Sequence, residues 1–530
     1  MIRRRVIIQT NSSLELTFRT LDRLKQIHAH LLKINFSENP SIVAPLLSYA
    51  ATSNNPTLFS YACTIFEKLR YRSTFLYNNM IRGYVQSNLA VDAIFCYKMM
   101  LKDGLIKNNY TLTPLIKACS MVVHESRYMG FLVHGHVVRL GFCREQFIAS
   151  ALIEFYSLNL DMGKARVLFD EMPERDVVLW TTMIDGYGKM GDIENARGLF
   201  EEMPEKNVIS WSTIMAAYSR ISDFREVLSL FKKMEEVNVK PNESVFVSAL
   251  TACAHTGALA QGLWLHSYAK RCKFDSNAIL ATALVDMYSK CGSVELALSV
   301  FEGISDKGSR AWNAIISGVA MNGEALKSLQ LFDEMVLSGI QPTDATFVSV
   351  LTACTHANLV DRGLSLFQIM GSIYGVEPKI EHYACVVDLL ARSGRLDEAE
   401  KFVEEKMGSI GEGDANVWGA LLAACRTHGK VDIGKRVWRK LANEGVPDYG
   451  THVLSYNMYK EAGLETEAES VRRMIEERRM MKIPGCSSIE VNGMVEEFFA
   501  GDLLHPKAQE LFKVLDSLLR VSDVTCSIKL

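Results

Sequence analysis

Several common patterns are scarce or missing in this chain, and each absence narrows the class of protein. Proline accounts for only 12 of 530 residues, which with plentiful Leu, Ala, Glu and Lys favours many short helices over a large sheet. No apolar run is long enough to cross a bilayer, so no membrane association is predicted. The formal net charge of -3 argues against a generally basic nucleic-acid binder, so any such binding must be confined to one face.

Paired metal-binding and redox motifs are also missing. The 12 cysteines are spread singly and none forms a C-x-x-C pair, so zinc ribbons and dithiol redox sites are not supported. His134 and His136 are close in sequence, but residues two apart do not share a helix face. The sequence therefore predicts no metal, no cofactor and reduced, buried cysteines.

The first 20 residues have the composition of a targeting segment. Arg3, Arg4 and Arg5 come at the start, and no acidic residue precedes Glu15. This composition predicts an organellar transit peptide over residues 1–20, with a plain basic tail as the alternative. The arginine-rich start favours the mitochondrion, with the chloroplast as the alternative.

The main positive signal is an internal repeat. The segment VLFDEMPERDVVLW at 167–180 recurs as GLFEEMPEKNVISW at 198–211, a shift of 31 residues. SALTAC at 248–253 recurs as SVLTAC at 349–354, a shift of 101 residues. A larger period therefore contains three units of roughly 31 to 37 residues, which indicates a stacked repeat architecture.

Each unit reads as a helical hairpin. In 177–207 the apolar positions from Trp180 to Tyr187 follow a helical period. Gly191 can end that helix and Asp192 can cap the next one. One hairpin cannot bury its own apolar face, so neighbouring hairpins must stack. The recurrent Trp and Tyr residues are predicted to pack between hairpins rather than to form a stacking platform for bases.

The repeat resembles the plant pentatricopeptide repeat family, in the subclass that alternates P, L and S units. The resemblance rests on WTTMIDGYGKMGDIENARGLFEEMPE, on TACAHTGALAQGLWLH and TACTHANLVDRGLSLF, and on the triplet spacing. It implies an all-α fold, a right-handed superhelical solenoid of stacked helix-turn-helix repeats. About 11 units are expected over residues 21–414.

The C-terminal part resembles the E extension of this subclass. The segments EHYACVVDLLARSG, VWGALLAACRTHG and PGCSSIEVNGMVEEFFAGDLLHP carry this resemblance, which implies degenerate helical repeats over 415–506 and a tail over 507–530. In the family this extension belongs to RNA-editing specificity factors, many of which continue into a zinc deaminase of the DYW type. That chemistry needs a His-x-Glu and a C-x-x-C, and the sequence has neither. The chain is therefore predicted not to be an enzyme, and to recruit a separate DYW-type cytidine deaminase and accessory organellar editing factors.

The resemblance also assigns base-reading residues, because helical repeats of this kind read one RNA base each. In the family the reading pair is the residue after the aromatic of the first helix and the last residue of the unit. The pairs assigned in this way are Asn78 with Asn108 (pyrimidine), Ser150 with Asp176 (guanine), Thr181 with Asn207 and Ser212 with Asn242 (both adenine), Thr282 with Gly308, Asn313 with Thr343 (weakly pyrimidine), and Ala384 with Asp414. The L-type units present Val247 and Val348 instead, which predicts spacing or stacking. Asn, Ser and Asp at these boundaries are also ordinary helix caps, and this interpretation stays open.

The implied RNA sequence, read 5′ to 3′, is pyrimidine, any, G, A, A, any, purine, pyrimidine, any, any. The leading hypothesis is a trans-acting specificity factor for C-to-U editing in a plant organelle. The second is single-stranded RNA binding for processing, stabilisation or splicing without editing. The third is a protein-binding scaffold like tetratricopeptide arrays, which the alternating unit lengths disfavour.

Overall fold

The computed structural model describes residues 21–33, 40–53, 55–274, 277–407, 415–443, 448–478, 480, 486–491, 494–499 and 510–518. The transit peptide predicted over 1–20, Asp414, and the tail residues before 510 and after 518 lie outside these ranges. None of the described helices is both long and apolar enough to span a membrane. The chain divides into an N-terminal body, Met1–Glu226 with Leu230–Lys240, and a C-terminal body, Val227–Ser229 with Pro241–Leu530.

Helices account for nearly all of the described chain. From the N-terminus to the end of the first body they are α1 (Leu21–Lys33), α2 (Pro40–Thr52), α3 (Pro56–Lys68), α4 (Thr74–Gln86), α5 (Ala90–Lys102), α6 (Asn109–Met121), α7 (Val123–Leu140), α8 (Gln146–Leu158), α9 (Met162–Asp170), α10 (Val177–Lys189), α11 (Ile193–Glu202), α12 (Val208–Arg220) and α13 (Phe224–Glu236). The helices that follow are α14 (Glu243–Thr256), α15 (Leu259–Arg271), α16 (Ala278–Lys290), α17 (Val294–Glu302), α18 (Ser309–Met321), α19 (Ala325–Leu337), α20 (Asp344–His356), α21 (Val360–Ser372), α22 (Ile380–Arg392), α23 (Leu396–Met407), α24 (Ala415–Thr427), α25 (Val431–Asn443), α26 (Tyr449–Glu461) and α27 (Glu465–Glu477). Residues 510–518 are also helical.

Each repeat is a hairpin whose ends are set by local sequence. In 177–207 the Asp176 side chain accepts from the Leu179 N–H at 2.8 Å and starts α10. Gly191 follows that helix with φ +78°, a left-handed conformation that glycine adopts without steric cost. The Asp192 side chain then accepts from the Asn195 N–H and starts α11. The hairpin prediction is thus confirmed for this unit.

Successive hairpins stack through their first helices. Within the N-terminal body α4, α6, α8, α10 and α12 pack side by side in that order, and within the C-terminal body α14, α16, α18, α20, α22, α24 and α26 do the same. The recurrent aromatic residues fill the joints: Trp180 lies edge-on to Phe169 of the preceding hairpin with ring centroids 4.9 Å apart, and Trp211 meets Phe200 in the same way. Trp180 is almost fully buried, so the prediction that these aromatics pack between hairpins is confirmed.

Some first helices approach so closely that only glycine fits between them. A Cβ added at Gly318 in α18 would lie 2.1 Å from the Ser289 Oγ of α16. At Gly188 in α10 it would lie 2.5 Å from the Ala217 Cβ of α12. Both distances are shorter than any van der Waals contact, so these glycines set the spacing between neighbouring hairpins.

Ion pairs join the last predicted repeat to the helices of the predicted E extension. The Arg436 guanidinium of α25 donates to both carboxylate oxygens of Glu400 in α23, at 2.9 and 2.6 Å. Lys440, one turn further along α25, pairs with Glu404 at 2.5 Å. Hydrogen bonding to Arg436 lowers the pKa of the Glu400 carboxyl. These helices therefore continue the stack.

The all-α prediction is confirmed for the repeats. The region predicted to be the E extension, over 415–506, also contains one pair of strands where the structure describes it. Strands β1 (Cys486–Val491) and β2 (Met494–Phe499) form an antiparallel pair in which Val491 faces Met494 and Cys486 faces Phe499. The sequence signal for this hairpin is the Asn-Gly dipeptide at 492 and 493, because Asn-Gly between two strand-forming runs is a strong two-residue turn signal. This hairpin was not among the sequence predictions.

Candidate nucleic-acid interface

Among the residues that the structure describes, the unit-end residues assigned to base reading share one structural position, the N-cap of the next unit's first helix. The Asn207 Oδ1 accepts from the backbone N–H groups of Ile209 and Ser210 at 3.0 and 3.1 Å. Asn108, Asp176, Asn242 and Thr343 occupy the same position at the starts of α6, α10, α14 and α20. The ordinary capping interpretation therefore holds for the four Asn and Asp residues, and any base reading by them must use what capping leaves free.

Capping leaves one side-chain atom of each Asn or Asp for a ligand. In Asn207 and Asn242 the oxygen caps the helix, so the amide Nδ2 remains as a hydrogen-bond donor. In Asp176 one carboxylate oxygen caps and the other remains as an acceptor. An Asn cap therefore offers a donor to a ligand where an Asp cap offers an acceptor. This difference gives a physical basis for distinguishing base edges.

Two of the assigned pairs are in direct contact. The Asn78 Nδ2 donates to the Asn108 Oδ1 at 3.0 Å, and the Thr111 hydroxyl donates to the Asn78 Oδ1 at 2.6 Å. In the C-terminal body the Asn313 Nδ2 donates to the Thr343 hydroxyl at 2.9 Å, and Thr346 takes the place of Thr111. The same three-residue network thus recurs in two separate units. The sequence assigned the pairs but not the threonine that orients them.

Among the described residues, the other assigned pairs show no hydrogen bond from side chain to side chain. The Thr181 hydroxyl donates to the Val177 carbonyl at 2.8 Å and is nearly buried, and the Ser212 hydroxyl donates to the Ile209 carbonyl at 2.9 Å. The Thr282 hydroxyl donates to the Ala278 carbonyl at 2.8 Å, and Gly308 has no side chain to offer. Ser150 is half-buried on α8. Their assignment to base reading stays a prediction.

Exposed apolar side chains stand two residues after the caps. These positions project from the first turn of the first helix instead of joining its buried stripe, and in six units the side chain is more than half exposed: Phe75, Tyr110, Phe147, Val178, Ile209 and Ile279. Flat or branched apolar groups at a regular spacing can hold the faces of successive bases. These residues were not among the sequence predictions, although an apolar residue off the buried stripe at a fixed offset from each cap is a detectable signal.

Charged groups on the same helices are partly neutralised by neighbours. Asp185 in α10 pairs with Lys189 at 2.7 Å and with Arg220 of α12 at 2.9 Å. Asp185 and Lys189 line an open cavity of about 280 Å³ together with Thr181 and Glu154. The equivalent Asp286 and Lys290 of α16 are 2.9 Å apart. Basic side chains that can meet phosphates thus recur on first helices of both bodies, each held in place by a carboxylate.

The adjacent histidines have separate roles in packing. The His134 Nδ1 lies 2.5 Å from the Tyr156 hydroxyl, whereas the His136 Nδ1 lies 2.7 Å from the Tyr97 hydroxyl. Burial lowers the pKa of both imidazoles. In the part of the chain that the structure describes, no group of three or more His, Cys, Asp or Glu side chains is placed to hold a metal ion.

Stacked helical hairpins, with capping side chains and exposed apolar groups on their first helices, define a helical-repeat protein. Models of the PPR repeat match residues 75–105, 147–177, 178–208, 280–309 and 381–407, and models of the PPR repeat family match 206–255 and 307–356. A pentatricopeptide repeat-containing protein of Arabidopsis thaliana, named as chloroplastic, is 40% identical over 95% of this chain and 90% of its own length. Another from the same plant, named as mitochondrial, is 41% identical over 86% of this chain and 66% of its own length. The chain belongs to the pentatricopeptide repeat family.

Solved structures agree with this fold. The crystal structure of the pentatricopeptide repeat protein PPR10 from maize aligns with a TM-score of 0.57 at 16% identity, covering 87% of this chain and 72% of PPR10. PPR10 in complex with an 18-nt psaJ RNA element aligns with a TM-score of 0.51 at 17% identity, covering 89% of this chain and 75% of that chain.

Proposed function

We propose that the chain is a sequence-specific single-stranded RNA-binding protein of a plant organelle. The observation that carries the proposal is the recurrent network of Asn78 with Asn108 and Asn313 with Thr343, because it joins the two residues of a unit that would read one base. The exposed apolar groups beside the caps supply surfaces for base faces. The bound RNA of the PPR10 complex and the organellar names of the relatives agree with it.

Within this class, the proposed role is that of a specificity factor for C-to-U RNA editing. The repeats select a transcript, and the predicted E extension over 415–506 recruits a DYW-type cytidine deaminase in trans together with accessory editing factors. Ion pairs such as Arg436 with Glu400 tie α25 to α23 of the last predicted repeat. A recruiting module attached in this way would hold a fixed position relative to the bound RNA.

Two measurements test the proposal. Binding of the full chain to a randomised pool of single-stranded RNA should enrich the order pyrimidine, any, G, A, A across its first five positions. Sequencing of mitochondrial and chloroplast RNA from plants that lack the protein should show lost editing at one or a few cytidines downstream of such a sequence. Unchanged editing with altered transcript ends or introns would remove the editing role, and failure to retain any RNA would remove RNA binding.

A further inference from the structure

An open cavity of about 510 Å³ lies along α4, α6 and α8 in the N-terminal body. Its lining includes Tyr110, Thr113, Glu145 and Phe147, with the basic side chains of Arg82 and Lys117. Tyr110 and Phe147 are both about three-quarters exposed. Aromatic side chains that bury so little of their surface contribute little to the core. Because both line one cavity next to two cations, the site suits a flat ring attached to a phosphate backbone.

Glu145 carries an unsatisfied acceptor at this cavity. Its Oε2 is buried and has no hydrogen-bond partner among the described residues. Its Oε1 accepts only a long bond from the Asn109 Nδ2, at 3.4 Å. Glu145 stands at the N-cap of α8 but makes no side-chain capping bond. A buried carboxylate oxygen without a donor is costly, so a rotation of the Glu145 side chain that brings this atom into the cavity and onto a ligand donor is favourable.

In the two later units that end at Asn277 and Lys379, the last residue has partners for its polar side-chain atoms. Asn277 caps α16 through the Leu280 N–H at 2.9 Å and donates to Glu243 at 2.5 Å. Lys379 is paired with Asp344. In both cases the first and last residues of the unit pair with each other and leave no buried orphan atom.

The first-helix residue at the base-reading position also differs between these three units. Those two later units have Val247 and Val348 there, whereas the unit 109–145 has Thr113. Thr113 lines the cavity beside Glu145. Among these three units, only 109–145 therefore combines a polar first-helix residue with an acceptor at its end that lacks a donor.

We propose that this cavity binds a guanine base, at the second position of the RNA, where the sequence predicts no preference. This inference rests on the proposed function and assigns a base to one of its sites. An ionised carboxylate only accepts hydrogen bonds. Guanine presents two adjacent donors, N1–H and the N2 amino group. Adenine and cytosine present one donor beside an acceptor, and uracil one donor between two acceptors, so each would turn a lone pair toward Glu145. The ring lies between Tyr110 and Phe147, with Arg82 and Lys117 facing the adjoining phosphates.

The test measures the affinity of the full chain for a ten-nucleotide RNA of the proposed order with G, A, C, U or inosine at the second position. Wild-type protein should bind the G form about tenfold more tightly than the A, C or U forms, as for other two-bond base contacts. Inosine keeps N1–H but lacks the N2 amino group, and its affinity should be intermediate. Glu145→Gln should move the preference from G to A, because an amide offers one acceptor and one donor.

Glu243→Gln is the matched control, because it makes the same change at a carboxylate that Asn277 already satisfies. It should leave the preference at every position unchanged. Selection of G at the third position with equal affinity for all bases at the second would overturn this inference and leave the proposed function standing. Retention of the G preference by Glu145→Gln would also overturn this inference and leave the proposed function standing. Failure of the wild-type protein to bind any of these RNAs would overturn both.

Discussion

The substitution Asn207→Asp keeps the oxygen that caps α12 and changes only the atom that is proposed to read a base. The Asn207 Oδ1 caps α12 through two backbone N–H groups, and Asp keeps an oxygen in that place. Asn and Asp are equivalent N-caps, and a negative charge at a helix N-terminus is mildly favourable. The free energy of unfolding should therefore change by no more than about 0.5 kcal/mol. The outward atom, in contrast, changes from an amide donor to a carboxylate acceptor.

This change should reverse a base preference. The wild-type protein is expected to favour adenine at the fourth position of the RNA, whose N1 can accept from the Asn207 Nδ2. The variant should favour guanine there, whose N1–H and N2 amino group can donate to the carboxylate. Because capping leaves one atom of residue 207 for the base, the contact is a single hydrogen bond worth about 0.5–1.5 kcal/mol. Each protein should therefore prefer its own base by about two- to thirteenfold.

The assay is fluorescence anisotropy with paired RNAs that differ only in A or G at that position. The ratio of the two affinities is the relevant quantity, because an added negative charge near phosphates weakens binding to both RNAs alike. Asn238→Asp adds the same charge at an exposed turn residue with φ +57° and should leave the ratio unchanged. If Asn207→Asp left an adenine preference intact at unchanged melting temperature, the assignment of the cap residue to base reading would be refuted.

Three further predictions concern helix packing, buried histidines and the C-terminal region. Gly318→Ala should lower the free energy of unfolding by about 1–3 kcal/mol, because the added methyl meets a serine side chain of the neighbouring helix; Gly198→Ala, with open space around it, should not, as chemical denaturation can measure. Burial lowers the pKa of His134 and His266, so their neutral forms stabilise the folded state. This contribution to the free energy of unfolding is present above the ordinary histidine pKa and is lost as the pH falls through the lowered pKa. The melting temperature should drop between about pH 7.5 and about pH 5.5, and less in a His134→Gln, His266→Gln double variant. Removal of residues 415–530 should keep the base preferences at the first five RNA positions in binding assays but abolish editing in complemented plants; lost RNA binding would mean that this region is structural.

The agreement between sequence and structure is closest where one hairpin determines its own form. Asp176, Gly191 and Asp192 act within a few residues of their positions, and their cap and turn roles follow from side-chain chemistry and allowed backbone angles. The exception is the pair of strands β1 and β2, which the helical-repeat period does not predict and which only an Asn-Gly turn signal indicates.

The candidate site was predictable in part. Asn78 and Asn108 were paired because the family resemblance assigns these two positions of a unit to base reading, and the structure places their side chains 3.0 Å apart. Thr111, which orients Asn78, and the exposed Tyr110 were not identified. Their roles depend on which side of the first helical turn faces the preceding hairpin, and the hydrophobic pattern of a single unit does not specify that side.

The sequence by itself determined the repeat period, the hairpin, the caps and the aromatic joints, because these depend on interactions within a unit or between identical neighbours. Only the tertiary structure decided which cap atoms remain free. Glu145, Asn277 and Lys379 hold the same place in their units, yet the buried oxygen of Glu145 alone among the three lacks a partner. Whether a polar atom is satisfied depends on the distance and direction to groups on an adjacent helix. Packing sets these, and no local pattern encodes them.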